Sequence, residues 1–212
     1  MCLSDGAGGA EYAELASEAN VDAVLNLFQK VSVSDFLKCS PQERKQLVVN
    51  ECCCFLQNIA VKYGIDDLNQ LSATLVIVIV TEEKIYVGHI GDGIVAAKRN
   101  DEIVFLSAPE NIDGASNRTH FTCEHRAHRF YKEDIYDSED YSSIMLCSDG
   151  PYNDISACSE LEPVLLGILN GIESGGIANN IEFNKAILSA AEIYDDWSVI
   201  ALSIKEGNIA EH

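Results

Sequence analysis

The stretch Ser143-Ile144-Met145-Leu146-Cys147-Ser148-Asp149-Gly150 is an apolar run of strand formers that ends abruptly in an aspartate followed by glycine. Such a pattern places one carboxylate at the C-terminal tip of a buried strand, on a turn where the backbone can bend sharply. The same design recurs elsewhere. Asp5-Gly6-Ala7-Gly8-Gly9 opens the chain, Gly91-Asp92-Gly93 breaks a β-rich segment, and Tyr194-Asp195-Asp196 precedes the strand-like run Trp197-Ser198-Val199-Ile200-Ala201-Leu202. Aspartates held on strand ends and tight turns, far apart in sequence, suit a hard cation. Rigid elements supply the oxygen ligands, and cations offset the repulsion among the anionic groups around them. The rest of the chain reads as scaffold for these turns.

A chain of 212 residues suits one domain with a real core, and its 47% hydrophobic composition argues for a globular fold rather than disorder. The formal net charge is −20, from 34 acidic and 14 basic side chains. Binding by counterion release needs clustered Lys and Arg, so neither nucleic acid nor an anionic membrane is expected as a partner. The acidity favours cation capture and basic protein partners instead. The longest apolar run, Ala73 to Val80, is far too short to span a bilayer. Cys52-Cys53-Cys54 are consecutive on a predicted helix, where neighbours point apart and cannot easily bridge. With no signal peptide before Asp5, the expected compartment is the reducing cytoplasm.

Along the chain, Val21, Val24, Leu25 and Phe28 form an apolar stripe that predicts a helix from about Glu11 to Val31. A second helix is punctuated by Ser40 as cap, Pro41 at its first position, Glu43 completing a capping box and Gly64 as its stop. Val48, Cys52, Phe55 and Ile59 line one face, so these cysteines read as small hydrophobes. Ala73 to Val80 is nearly continuous and β-branched, the signature of a strand buried on both faces. Short polar connections then join Ile85–Ile90, Ile94–Lys98 and Glu102–Leu106, predicting a four-strand meander. A strand around Arg129 to Ile135, helices over Ser159–Ile172 and Ile181–Ile193, and a last strand from Trp197 to about Ile204 complete the reading. Hairpin-length connections cannot make parallel pairs. The fold class is therefore α+β, with two packed antiparallel β-sheets flanked by helices in a single domain over residues 1–212.

The motifs together resemble a family. Asp5-Gly6-Ala7-Gly8-Gly9, Ser72-Ala73-Thr74, Val87-Gly88-His89-Ile90-Gly91-Asp92, Leu146-Cys147-Ser148-Asp149-Gly150 and Asp195-Asp196-Trp197-Ser198-Val199-Ile200 resemble, in order, the metal-dependent serine/threonine protein phosphatases of the type 2C class. Ala115-Ser116-Asn117-Arg118-Thr119-His120-Phe121 is similar to the bacterial branch of that class. The resemblance implies an α-β-β-α sandwich with Mn²⁺ or Mg²⁺ at one end. Two ions are bridged by the aspartate matching Asp5. The carboxylates matching Asp149 and Asp195 complete the first ion's protein ligands, and the carbonyl matching Gly6 serves the second. The aspartate matching Asp92 helps to bind a third, weaker ion with Asp149. It further implies hydrolysis of phosphoserine and phosphothreonine in proteins by a metal-activated water, with no protein nucleophile.

The match has gaps. Four residues precede Asp5, where the family places two strands carrying an acidic metal ligand and a phosphate-holding arginine. Neither can be assigned in this chain: either the start is truncated or misannotated, or the protein has dispensed with that part. Without it, second-metal affinity should fall and a sheet edge should be exposed unless a partner covers it. Ala7 stands where many members have a histidine, often proposed as the leaving-group acid, and Asn153 stands where an aspartate is common. These gaps motivate an alternative, a catalytically weak relative acting as a regulatory binding module. His120, His125 and His128 do not align on one strand face, with Arg126 and Arg129 among them, and read as a solvated loop contacting phosphoprotein rather than a metal site.

Overall fold

The computed structural model describes residues 1–108, 119–158, 160–177, 179–189, 194 and 196–204. Its longest helix begins where its capping chemistry dictates. Ser40 is extended, its hydroxyl accepts the Glu43 N–H, and the Glu43 carboxylate accepts the Ser40 N–H in return. The helix, Pro41–Tyr63, ends at Gly64 in the left-handed conformation that glycine adopts without penalty. It is the third in the chain, α3, after α1 (Ala13–Lys30) and α2 (Val33–Lys38).

Among the described residues, the strands form two four-stranded sheets. In one, β1 (Cys2–Leu3), β2 (Leu75–Val80), β3 (Lys84–Ile90) and β6 (Lys132–Asp137) lie in the order β1-β2-β3-β6. In the other, β4 (Ile94–Arg99), β5 (Glu102–Ser107), β7 (Ser143–Cys147) and β8 (Val199–Ser203) take the order β5-β4-β7-β8, every neighbour antiparallel. The expected meander is thus divided: β2 and β3 belong to one sheet, β4 and β5 to the other. The break falls at Gly91-Asp92-Gly93, where Gly91 has φ of 114° and the chain leaves one sheet for the next. After β7 the chain enters α4 (Asp149–Cys158), where a turn at Asp149-Gly150 was expected, then α5 (Leu161–Glu173) and α6 (Asn180–Leu188). Pro163 falls in the first turn of α5, where its missing N–H costs nothing. The expected helix end at 190–193 lies outside the described residues.

Packing divides the chain into two compact units: Met1–Val78 with Tyr86–Gly93 and Pro109–Asp134, and Ile79–Ile85 with Ile94–Ala108 and Ile135–His212. In the first, α1 packs on α3 through Ala16, Ala19, Leu56 and Ala60, over Leu71 and Ala73. The buried face of α1 runs through Ala16, Ala19, Asn20, Ala23, Val24 and Leu27, and Leu25 from the expected stripe is 57% exposed. Small alanines rather than larger apolar residues mark this close helix contact. In the second unit Leu165, Ile168 and Leu169 of α5 cover Ala96 and Met145 on β4 and β7. No helix among the described residues is long and apolar enough to cross a membrane.

Candidate metal centre

Within the first unit, Thr74 is the post around which two of the aspartate turns are built. Its N–H donates to the Asp5 carbonyl at 2.8 Å, and the Asp5 N–H donates to its hydroxyl at 3.1 Å. One step along, Ala7 N–H donates to the Ser72 carbonyl, with Gly6 paired opposite Ala73. In this antiparallel register the Gly6 carbonyl faces away from Ala73, so the ladder leaves it available as an oxygen donor. Gly6 must lack a side chain, because a Cβ would stand 2.8 Å from the Ala13 carbonyl oxygen at the start of α1. Gly91 abuts the other side of the same post: a Cβ there would lie 2.6 Å from the Thr74 side chain. Asp5 and the Gly91-Asp92 turn therefore share Thr74 as a neighbour.

Asn20 on α1 secures this arrangement. It is fully buried, and its amide donates to the Ser4 hydroxyl at 3.1 Å and to the Thr74 carbonyl at 3.3 Å. Sequence patterning did not single it out. Its one signal is a polar residue on the alanine-rich face of α1, which makes sense once a buried donor is required there.

The second unit gathers the other motifs in the same way. Asp149 lies in the first turn of α4, directly after β7, and Asn153 one turn later donates to its Oδ2 at 3.2 Å. Ser148 N–H donates to the Ser198 carbonyl at 3.0 Å, and Ser198 N–H returns a bond to the Ser148 hydroxyl at 3.2 Å. Asp154, 5% exposed, accepts the Tyr194 N–H at 2.9 Å and the Trp197 indole N–H at 2.7 Å on one oxygen. Residues on both flanks of position 195 are thereby tied to the segment carrying Asp149. Asp195 itself lies outside the described residues, as do residues 115–118 of the stretch resembling the bacterial branch.

The donor chemistry fits a hard divalent ion: the assigned positions offer carboxylate and carbonyl oxygens, which suit Mg²⁺ or Mn²⁺ better than zinc. Cys147, two residues before Asp149, is buried. Burial, then the Asp149 charge, pushes its thiol up to about 12. Among the described residues no three His, Cys, Asp or Glu side chains are grouped as a ready-made metal site. The three histidines of the 120–128 stretch are not gathered either. His120 is partly buried and bonded to Glu124, unlike the solvated loop the spacing suggested, while His125 is exposed.

A two-sheet α+β fold with aspartates on its turns is the architecture of the type 2C phosphatases. The chain belongs to that family: the profile described as protein phosphatase 2C matches residues 1–182. Among solved structures, a bacterial serine phosphatase superposes with a TM-score of 0.71 at 16% identity, covering 96% of this chain and 85% of that one. The serine/threonine phosphatase Stp1 from Staphylococcus aureus gives 0.69 at 16% identity, over 96% of this chain and 83% of that chain. The catalytic domain of the serine/threonine phosphatase PstP, solved with two manganese ions, gives 0.67 at 17% identity, over 94% of this chain and 84% of that chain. At such identities the likeness is one of fold. No curated protein matches by sequence.

Proposed function

We propose that this protein is a metal-dependent phosphatase that hydrolyses phosphoserine and phosphothreonine esters in proteins, acting as one phosphatase-like domain. The observation that carries the reading is Thr74, which borders Asp5 through two hydrogen bonds and Gly91 through side-chain contact. Two motifs far apart in sequence thus border one residue. Asp5, Asp149 and Asp195 would hold a first Mn²⁺ or Mg²⁺, the Gly6 carbonyl would serve a second, and Asp92 with Asp149 a weaker third. Such ions lower the pKa of bound water and offset the charge of a phosphoryl group. The protein's own share is to hold the carboxylates still and to position the ester. With a net charge of −20, a phosphoprotein with basic residues beside the phosphate is the fitting partner, met in the cytoplasm.

Turnover of a phosphothreonine peptide with manganese tests the proposal. Asp149→Asn and Asp195→Asn should each abolish it, and unchanged activity in either would refute the assignment. A second reading, a regulatory module of weak activity, draws on Asn153, which gives a donor to Asp149 where another carboxylate would help hold an ion. Calorimetry beside the turnover assay separates the two: one weak manganese site without turnover identifies the module.

A further inference from the structure

Asn20 is a costly residue for its position. It lies inside α1, 0% exposed, on the face that otherwise buries Ala16, Ala19, Ala23, Val24 and Leu27. Asparagine is a poorer helix former than alanine or leucine, because its side chain competes for backbone hydrogen bonds. Its Oδ1 has no hydrogen-bond partner among the described residues, so half of a strongly polar amide is withdrawn from water without return. An apolar residue of about the same size would remove both costs. Fold stability therefore does not account for it.

The other half of the amide makes specific contacts. Nδ2 donates to Ser4 Oγ at 3.1 Å and to the Thr74 carbonyl at 3.3 Å. Ser4 Oγ in turn donates to that same carbonyl at 2.5 Å, which closes a triangle of three groups. Ser4 and Thr74 would keep their mutual hydrogen bond without Asn20, so the amide is not needed to satisfy either. Its effect is directional. A serine hydroxyl can rotate, and a donor placed on its lone pair turns its proton toward Thr74. Ser4 precedes Asp5 in the chain, and Thr74 is bonded to the Asp5 carbonyl and N–H. The triangle thus fixes both residues that hold the Asp5 backbone.

We propose that Asn20 is a positioning residue of the metal centre: by clamping Ser4 to Thr74 it presets the Asp5 carboxylate for a divalent ion. The proposal rests on the phosphatase reading above, with Asp5 as a ligand, and deepens it. A carboxylate on a short side chain follows its backbone, so rotation of the Ser4–Asp5 peptide carries its oxygens away from the ion. Partners that hold metal ligands in place are typically worth about 10–100-fold in affinity.

Calorimetric titration with manganese and thermal melting of the metal-free protein test the clamp. Asn20→Leu keeps the size and removes the amide. It should weaken the tightest manganese site by about tenfold or more, while the melting temperature stays within about 3 °C of wild type or rises. A residue with only a packing role gives the reverse, early melting with unchanged affinity in the folded protein. Ser4→Ala should weaken manganese binding similarly. The double variant should lose less than the product of the two single losses, because Asn20 acts through Ser4. If Asn20→Leu melts early, Ser4→Ala, which leaves α1 untouched, carries the comparison. Equal affinity in wild type and both single variants, or losses that multiply in the double variant, overturn the role of Asn20 alone. Asp5→Asn is the reference: if it binds manganese as wild type does, Asp5 is no ligand and the proposal falls with that assignment. A wild-type protein that binds no manganese overturns the metal-dependent reading and this proposal with it.

Discussion

Asp154 Oδ2 accepts the indole N–H of Trp197 at 2.7 Å, and the same oxygen takes the Tyr194 N–H at 2.9 Å. One buried carboxylate therefore brackets the segment that contains position 195, from a helix that also carries Asp149. Charged acceptors strengthen such bonds, at about 1.5–3 kcal/mol each, when both partners are withdrawn from water. Trp197 is the one tryptophan in the sequence, so its fluorescence reports this contact without interference. Asp154→Leu should red-shift the emission and lower unfolding stability by about 2–4 kcal/mol. A spectrum and denaturation midpoint identical to wild type would show that the bond does not hold the segment.

Arg44 and Glu133 form a buried pair in the first unit, their side chains 7% and 3% exposed. Arg44 Nε and Nη2 reach the Glu133 carboxylate at 2.8–3.2 Å. Its Nη1 donates to the Leu37 and Cys39 carbonyls just before α3, and the guanidinium lies 5.9 Å from the Tyr86 ring centroid. Removing one partner leaves the other charge buried and unpaired. Arg44→Met should cost about 3–5 kcal/mol, whereas Arg44→Met with Glu133→Leu should recover much of the loss. Urea unfolding of the two variants measures the difference, and a double variant no better than the single would contradict it.

Glu173 supplies a pH signature in the second unit. Burial alone would raise its carboxyl, yet hydrogen bonds from Lys98, Ser142 and Ser143, with the Lys98 charge, hold it below the usual range. The folded pKa is thus below the unfolded one, and the unfolded chain binds more protons in between. The stabilisation is full above the unfolded value of about 4.3 and is lost as pH falls through the folded value. Glu173→Gln should therefore cost about 1.5–3 kcal/mol at neutral pH, and the deficit against wild type should shrink as acid is added. Thermal melts at neutral pH and near pH 3 check the sign.

Sequence reading was most successful where structure is decided within one turn. Ser40, Pro41, Glu43 and Gly64 set both ends of α3, because capping depends on neighbours three or four residues away. It did less well where the partner is distant. Nothing local distinguishes β3–β4 as a hairpin from a crossing between sheets, and only pairing of β4 with β7 decides it. The short α2 went unread because six residues give too little periodicity. At the candidate site the Gly91-Asp92-Gly93 break was legible from its glycines, whereas Asp149-Gly150 opens α4 where a turn was expected. Asn20, the Asp154–Trp197 bond and the His120–Glu124 pair were not legible, since each becomes meaningful only when chain folding supplies its neighbour.

Thiol reactivity separates the adjacent cysteines of α3. Cys54 is exposed, whereas Cys52 is fully buried and its thiol is pushed up, mainly by burial. Cys147 is also buried, with its thiol pushed up to about 12. A disulfide reagent at mild alkaline pH should modify Cys54 within the native protein and reach Cys52 and Cys147 only after unfolding. Peptide mapping after brief labelling reads the order, and rapid native labelling of Cys52 would contradict the helix packing.

Gly91 links fold to function most directly. Its φ of 114° is strained for any L side chain, and a Cβ would meet Thr74 Cβ and Cγ2 at 2.6 Å. Thr74 is branched and holds Asp5 through two hydrogen bonds, so it cannot move aside without disturbing that turn. Gly91→Ala should therefore destabilise the protein by about 1–3 kcal/mol. If Asp5 takes part in metal binding as proposed, it should also weaken manganese affinity by roughly tenfold, about 1.4 kcal/mol. Gly8→Ala is the control, because a Cβ at Gly8 meets nothing within 4 Å. Calorimetry on the folded variants separates the two effects. A Gly91→Ala protein that is destabilised yet binds manganese as wild type does would detach the Thr74 post from the metal ligands, and leave it a purely structural feature of the first unit.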